Sequence, residues 1–298
     1  FQQLILIKTL VKELKLKEYK KLKVDFNLIE TKEDLEFLNQ ELLLKQYVGI
    51  DTEFRRTSKD NMRLALLQVN DGEEIYLIDT TAINNLKDEC SFLYSDSVIK
   101  IFHSCKEDIE AIYSWTGHLL VNIFDTQIAE AFLGGEYSLG YQGLVEKKLG
   151  IKVDKGETRS NWLRRPLSDS QLKYAASDVE FLIDLYQDQN HMLSKSDKCD
   201  WLDEEILDIL SKIFEIKDGE LIGSSLSNKE EINLLHKFNE VIICVADREK
   251  INPTLLFSKK NQRDFVRSVS QHGLESSLKS ITRWRSNLLQ NELSAILS

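Results

Sequence analysis

The chain predicts an α/β fold, a mixed sheet flanked by helices, followed by an all-helical segment. Three features of the sequence carry that reading. Strand-like apolar runs crowd residues 47–79, strand and helix patterns alternate from 98 to about 190, and no strand candidate remains beyond about 195. Strands in succession, then strands alternating with helices, give a sheet of mixed direction covered by helices.

The elements follow in order. TKEDLEFLNQELL (31–43) reads as a helix capped by Thr31. YVGIDTEF, RLALLQVN and EIYLIDT are strand candidates, the last two joined through Asn70-Asp71-Gly72, a strong hairpin signal. VIKIFH (98–103) is a fourth strand, with a helix over KEDIEAIYSW stopping at Gly117. NIFDTQIAEAFLGG gives a short strand and a helix, and SLGYQGLVEKKLG a helix closed by Gly150. Residues 151–167 read as a charged loop. Ser168 and Gln171 form a capping box that opens one long helix, LKYAASDVEFLIDLYQDQ. Further on, WLDEEILDILSKIF and EEINLLHKFNEVIICVADRE are helical, and a turn at Asn252-Pro253 precedes two more helices. GSSLSN (223–228) is the best linker.

Composition narrows the class. Of 298 residues, 42% are hydrophobic and 30% charged, as in soluble globular chains. No apolar run approaches the roughly 20 residues of a membrane span. Cys90, Cys105, Cys199 and Cys244 lie far apart with no C-x-x-C, which fits a reducing cytoplasm and excludes a disulfide framework or structural zinc site. The net charge is −10, with 21 basic against 39 acidic side chains in 25–228 and 11 against 8 in 229–298. Such a balance does not advertise a polyanion binder unless some of the acid binds metal. Residues 1–23 carry seven lysines and two glutamates, with Ile7, Leu10, Val11 and Leu14 on one helical face. That segment reads as an amphipathic helix or non-native leader rather than a signal peptide.

Within VGIDTEFRR (48–56), Asp51 and Glu53 stand one residue apart and so share a strand face, about 7 Å apart. Like charges held together repel unless a cation lies between them, although a lone D-x-E is more often a strand fraying into solvent. Asp108 falls in the first turn of a helix after a strand, ordinary for a helix dipole but also where α/β sheets build sites. Tyr174 and Asp178, four apart, border the apolar stripe of a late helix.

In this order and on these elements, the residues resemble the 3′–5′ exonucleases of the DEDD superfamily, tyrosine subclass, and most closely the ribonuclease D family. VGIDTEF, FHSCKEDIEAI, FDTQIAEAFLG, DKGETRSNWLRRPLS and YAASDVEFL carry the match, from about 24 to about 190. The resemblance implies a ribonuclease H-like fold, two divalent ions, and hydrolysis of phosphodiesters from the 3′ end to release nucleoside 5′-monophosphates. It assigns Asp51, Glu53, Asp108 and Asp178 as metal carboxylates and Tyr174 as the residue positioning the attacking water. Independently, an oxygen-only donor set suits Mg²⁺ or Mn²⁺ better than zinc. A Tyr hydroxyl of pKa near 10 is also better suited to orienting water than to deprotonating it.

Other residues carry weaker expectations. Asp125 reads as a helix N-cap that the resemblance places near the site. His103 ends a strand and reads first as structural, and Gln68 and Arg63 lie on a strand whose polar face could reach the cleft. KVDKGETRSNWLRRPL gathers Lys152, Lys155, Arg159, Arg164 and Arg165 around Trp162. Cations interleaved with an aromatic suit a single strand, against the alternative of a solvated loop whose Trp plugs the core. The resemblance tips Lys155 and Arg159 towards substrate, with Trp162 beside them.

Residues 229–298 resemble an HRDC domain through NPTLLFSKKNQRDFVRSV and LKSITRWRSNLLQNEL, with Arg283 where glycine commonly precedes the Trp-Arg pair. Only one such module fits. The expected division is a leader (1–23), an exonuclease domain (24–195), a helical connector (196–228) and the HRDC-like domain (229–298). The expected function is a cytoplasmic, metal-dependent 3′–5′ exoribonuclease whose partner is RNA with a free 3′ end, tRNA precursors above all. No membrane role and no protein partner can be inferred. The rivals are a Werner-type DNA exonuclease and a non-catalytic RNA-binding protein on the same fold.

Overall fold

A computed structural model describes residues 25–58, 61–84, 86, 88–153, 156–157, 160–214 and 226–297. The leader, residues 223–225 of the linker, Lys155 and Arg159 fall outside the described residues. The described residues divide into two compact units, those up to 103, 107–122 and 140–185 in the first, and 104–106, 123–139 and those from 186 onwards in the second.

The first unit is built on strands β1 (Asn27–Ile29), β2 (Tyr47–Ser58), β3 (Asn61–Asn70), β4 (Ile75–Ile78) and β5 (Ile99–Phe102). They lie in the order β1-β4-β3-β2-β5. β1 pairs with β4 and β5 with β2 in parallel, whereas β2-β3 and β3-β4 are antiparallel, so the sheet is mixed, as the sequence predicts. Three-residue β1 is too short to show a period, and the sequence reading has no strand there. β3 is buried from Leu64 to Asn70, on both faces, which is why it reads as a continuous apolar run. Helix α1 (Lys32–Leu42) buries Leu35, Leu38 and Leu42 and is capped by Thr31, whose hydroxyl accepts from the Asp34 N–H. Helix α2 (Lys106–Thr116) follows β5, and helix α4 (Tyr141–Leu149) forms as expected, ending on Gly150 at φ 75°.

One expected element is broken. The long helix after Ser168 is two helices, α5 (Asp169–Val179) and α6 (Leu182–Lys195). The Tyr141 hydroxyl stands in the gap, donating to Ser177 O at 3.1 Å and accepting from the Phe181 N–H at 3.0 Å. Those two groups would bond each other in a continuous helix, so a side chain has been inserted into the ladder. Asn70 Nδ2 then donates to the released carbonyls of Val179 and Glu180 at 3.0 and 3.1 Å. Nothing local in YAASDVEFL announces the break, because both intruders come from distant strand and helix positions. Gly49 lets the junction approach β2, since a Cβ there would sit 3.0 Å from Leu182 Cβ.

The second unit contains β6 (Ile123–Asp125) and, among the described residues, helices α3 (Thr126–Phe132), α7 (Cys199–Phe214), α8 (Asn228–Glu249), α9 (Pro253–Leu256), α10 (Lys259–His272), α11 (Leu274–Lys279) and α12 (Arg283–Leu297). Asn252 caps the short helix α9 rather than marking only a turn, and three helices follow it instead of two. Phe238, Phe257 and Phe265 pack mutually at 5.4–5.7 Å between ring centroids. Trp284 is buried, stacked on Trp201 at 5.5 Å. No helix among the described residues is long and apolar enough to cross a membrane.

Candidate active site

Strand alternation puts Asp51 and Glu53 on one face of β2, and α5 packs over that sheet with Asp178 on its last turn. One carboxylate oxygen from each of Asp51, Glu53 and Asp178 lies within 4.8 Å of the others. The three acids line a cavity of about 250 Å³ together with Tyr174, His103, Tyr141 and Gln142. Asp108 sits outside this trio, in the first turn of α2, buried, with its Oδ1 accepting from the Thr52 hydroxyl at 2.5 Å. Thr52 thus ties α2 to the strand segment between the two β2 acids.

The electrostatics of the cluster are uncompensated. Burial, and then repulsion from Asp108, Asp178 and Glu53, lifts the Asp51 carboxyl well above the ordinary carboxylate range. Burial and the charges of Asp178 and Asp108 push Glu53 up to about 9. Asp178 is raised to about 7 by burial, held from going higher by hydrogen bonds from Tyr174 and Gln142. Its Oδ1 is buried with no hydrogen-bond partner. Each shift disfavours the anion, and a cation among the oxygens would reverse it. The donor set is carboxylate oxygen alone, with a buried oxygen unused, which fits a hard divalent ion.

The Tyr174 phenol is held above its ordinary value by burial and by Asp178 beside it, so it is neutral near pH 7. Its ring packs against Trp162 at 6.1 Å between centroids. Trp162 is itself only 5% exposed, which leaves no open ring face for a base to stack on. The core-plug alternative describes it, because the residues after it are anchored. Arg165 bonds both oxygens of Asp79 and the carbonyls of Ala65 and Trp162, so this cation is committed inside the unit.

His103 lines the cavity, edge-on to Tyr141 at 6.0 Å. Gln68 lies directly across from Asp51 in the β2-β3 register, fully buried, both its amide atoms without a partner. Asp125, grouped with the second unit, caps α3 by accepting from the Gln127 and Ile128 N–H groups, and also accepts from the Ser104 and Cys105 N–H groups. All four bonds are structural. Sequence reasoning missed Thr52, Tyr141 and Gln142. Thr52 was legible, standing between the two acids, but Tyr141 enters at the helix break and its neighbour Gln142 bonds Asp178 from a separate helix.

Comparison with known proteins shows the family and the fold. A family model described as 3′–5′ exonuclease matches residues 26–194. Ribonuclease D of Shewanella sp. (strain ANA-3) is 42% identical over 156 residues, 52% of this chain and 40% of the relative. Ribonuclease D of Haemophilus influenzae is 43% identical over 151 residues, 51% of this chain and 37% of the relative. The matched region thus spans less than half the length of either. The crystal structure of Escherichia coli RNase D, described as an exoribonuclease involved in structured RNA processing, superposes with a TM-score of 0.62 at 24% identity, covering 92% of this chain and 74% of that one. The likeness to that structure shows the fold. With the family model covering more than half of its residues, the chain belongs to the 3′–5′ exonuclease family.

Proposed function

We propose that this chain is a metal-dependent 3′–5′ exoribonuclease of the tyrosine subclass, similar in activity to ribonuclease D, and that tRNA precursors are its substrates. The observation that carries the reading is the convergence of Asp51, Glu53 and Asp178 within 4.8 Å, in a cavity that Tyr174 also lines. The name of the relatives supports RNA over DNA. Mg²⁺ or Mn²⁺, two ions together, would be held by these three carboxylates and Asp108. Bound there, such ions neutralise phosphate charge, lower the pKa of the attacking water and stabilise the leaving oxygen.

The chain's own groups do the rest. Tyr174, neutral and hydrogen-bonded to Asp178, orients the attacking water without taking its proton. Gln142 also donates to Asp178 and helps hold that carboxylate in place. His103, on the cavity wall, is placed to bond substrate or product oxygen. Lys155 and Arg159 remain proposed substrate contacts. Residues 24–195 are proposed as the exonuclease domain, 196–228 as connector and 229–298 as an HRDC-like module. A cytoplasmic location is in keeping with four free cysteines.

A 5′-labelled tRNA precursor with a 3′ extension tests the reading, incubated with Mg²⁺, Mn²⁺ or EDTA beside a 3′-blocked copy, a DNA copy and the Asp178→Asn protein. Stepwise shortening that requires metal, a free 3′ end, ribose and Asp178 is expected. Preference for DNA, or shortening that persists in EDTA, overturns it.

A further inference from the structure

Beyond the carboxylates, β2 continues for five residues into an exposed ribbon with β3. Arg55 and Arg63 stand directly opposite one another there, both exposed. Like charges directly opposed across a strand pair destabilise it. A neutralising acid would be expected, above all where 39 acidic side chains outnumber 21 basic ones over residues 25–228. The neighbouring Arg56 has such partners, with Nη2 at 2.5 Å from Glu110 and 3.5 Å from Glu107. Among the described residues, Arg55 and Arg63 make no ion pair.

Position gives the pair a meaning. Asp51, Glu53 and Arg55 alternate along β2 and so share the face that carries the acids. The register irregularity after Glu53 skips Ala65 on β3, which leaves the alternation of β2 intact. Arg55 therefore stands one two-residue step, about 7 Å, beyond Glu53. A strand hydrolysed from its 3′ end has only the scissile phosphate on its terminal nucleotide, so every other phosphate lies to the 5′ side. A guanidinium is a planar fork matched to phosphate oxygens, and two of them facing across strands can grip one phosphate from both sides.

Resting on the nuclease reading above, we propose that Arg55 and Arg63 form a clamp for the backbone phosphate on the 5′ side of the scissile bond. The clamp reads charge and not sequence, and it selects polynucleotides over isolated diesters.

The test compares wild type with Arg55→Ala, Arg63→Ala and the double variant on two substrates, a short oligoribonucleotide and bis(4-nitrophenyl) phosphate, which has no neighbouring phosphate. For the double variant, KM for the oligoribonucleotide should rise about tenfold with kcat within about twofold. Hydrolysis of the isolated diester should not change. The slope of log(kcat/KM) against log salt should flatten by about 0.7, the single-strand value for one lost phosphate contact. Lysine substitutions should restore part of the KM. An unchanged KM and salt slope, or an equal loss on both substrates, overturns the clamp. Anisotropy of a labelled oligoribonucleotide in EDTA reads the same contact without turnover. An inactive wild type whose RNA binding still weakens in the double variant would sink the nuclease reading and keep the clamp, whereas unaltered binding would sink the clamp alone.

Discussion

Two buried acidic sites, a carboxylate cluster in the first unit and the lone Glu205 in the second, are treated in opposite ways. In the second unit, Glu205 receives both Nη1 and Nη2 of Arg285 at 2.6 and 2.9 Å, and Trp284 Nε1 donates to it at 3.4 Å. Arg285 is satisfied in turn by the carbonyls of Leu255 and Leu256, and its guanidinium lies 4.5 Å from the Trp284 ring. Every charge there has its partner, and the knot joins α7, α9 and α12. In the first unit, Asp51, Glu53 and Asp178 converge with no Lys or Arg among the described residues lining their cavity. A fold tolerates such repulsion when a bound cation relieves it, which is why the uncompensated cluster is the proposed working site.

The sharpest way to break this contrast is to neutralise one acid at each site. Asp51→Asn or Asp178→Asn should lower ribonuclease turnover at least about a thousandfold while leaving the metal-free protein folded and slightly more stable, because a repelling charge has gone. Turnover and melting in EDTA, measured on the same preparation, check both halves. Glu205→Gln should do the reverse, destabilising the second unit by about 3 kcal/mol because it leaves the part-buried Arg285 without its counter-charge, as denaturant unfolding would show. A catalytic loss without unfolding at Glu205 would erase the distinction.

The carboxylates also predict a pH effect of known sign. Glu53 titrates near 9 and Asp178 near 7 in the folded chain, both above their ordinary values. Between the ordinary range, about 4, and those values the native state holds more protons than the unfolded one. Stability of the metal-free protein is therefore fully present at low pH and falls as pH rises through 7 towards 9. Divalent metal removes that slope, so the rise in Tm on adding Mn²⁺ should be larger at pH 8 than at pH 5. A metal-induced shift independent of pH would contradict the clustering. The smallest expected effect is at the helix break. Tyr141→Phe removes only the hydroxyl held between Ser177 and Phe181 and should lower kcat about tenfold, with KM little changed and a stability loss of about 1 kcal/mol. Equal changes in kcat and KM, or none, would show that the break does not position Asp178.

Much of this was legible along the chain. Alternation alone placed Asp51 and Glu53 on one face, helical spacing placed Tyr174 one turn from Asp178, and capping signals at Thr31 and Ser168 named their helix starts. These are local properties, fixed by the period of an element and by which side chains satisfy its free N–H groups. What the tertiary structure decided is non-local. The break between α5 and α6 comes from Tyr141 and Asn70, 36 and 109 residues from the groups they bond. Burial of Trp162 and commitment of Arg165 to Asp79 overrode a loop that read as a basic surface. The facing of Arg55 and Arg63 exists only in the β2-β3 register. Sequence periodicity fixes the face on which a side chain starts. Which distant group meets it there is set only when the sheet and its helices close together and bring their charges into mutual range.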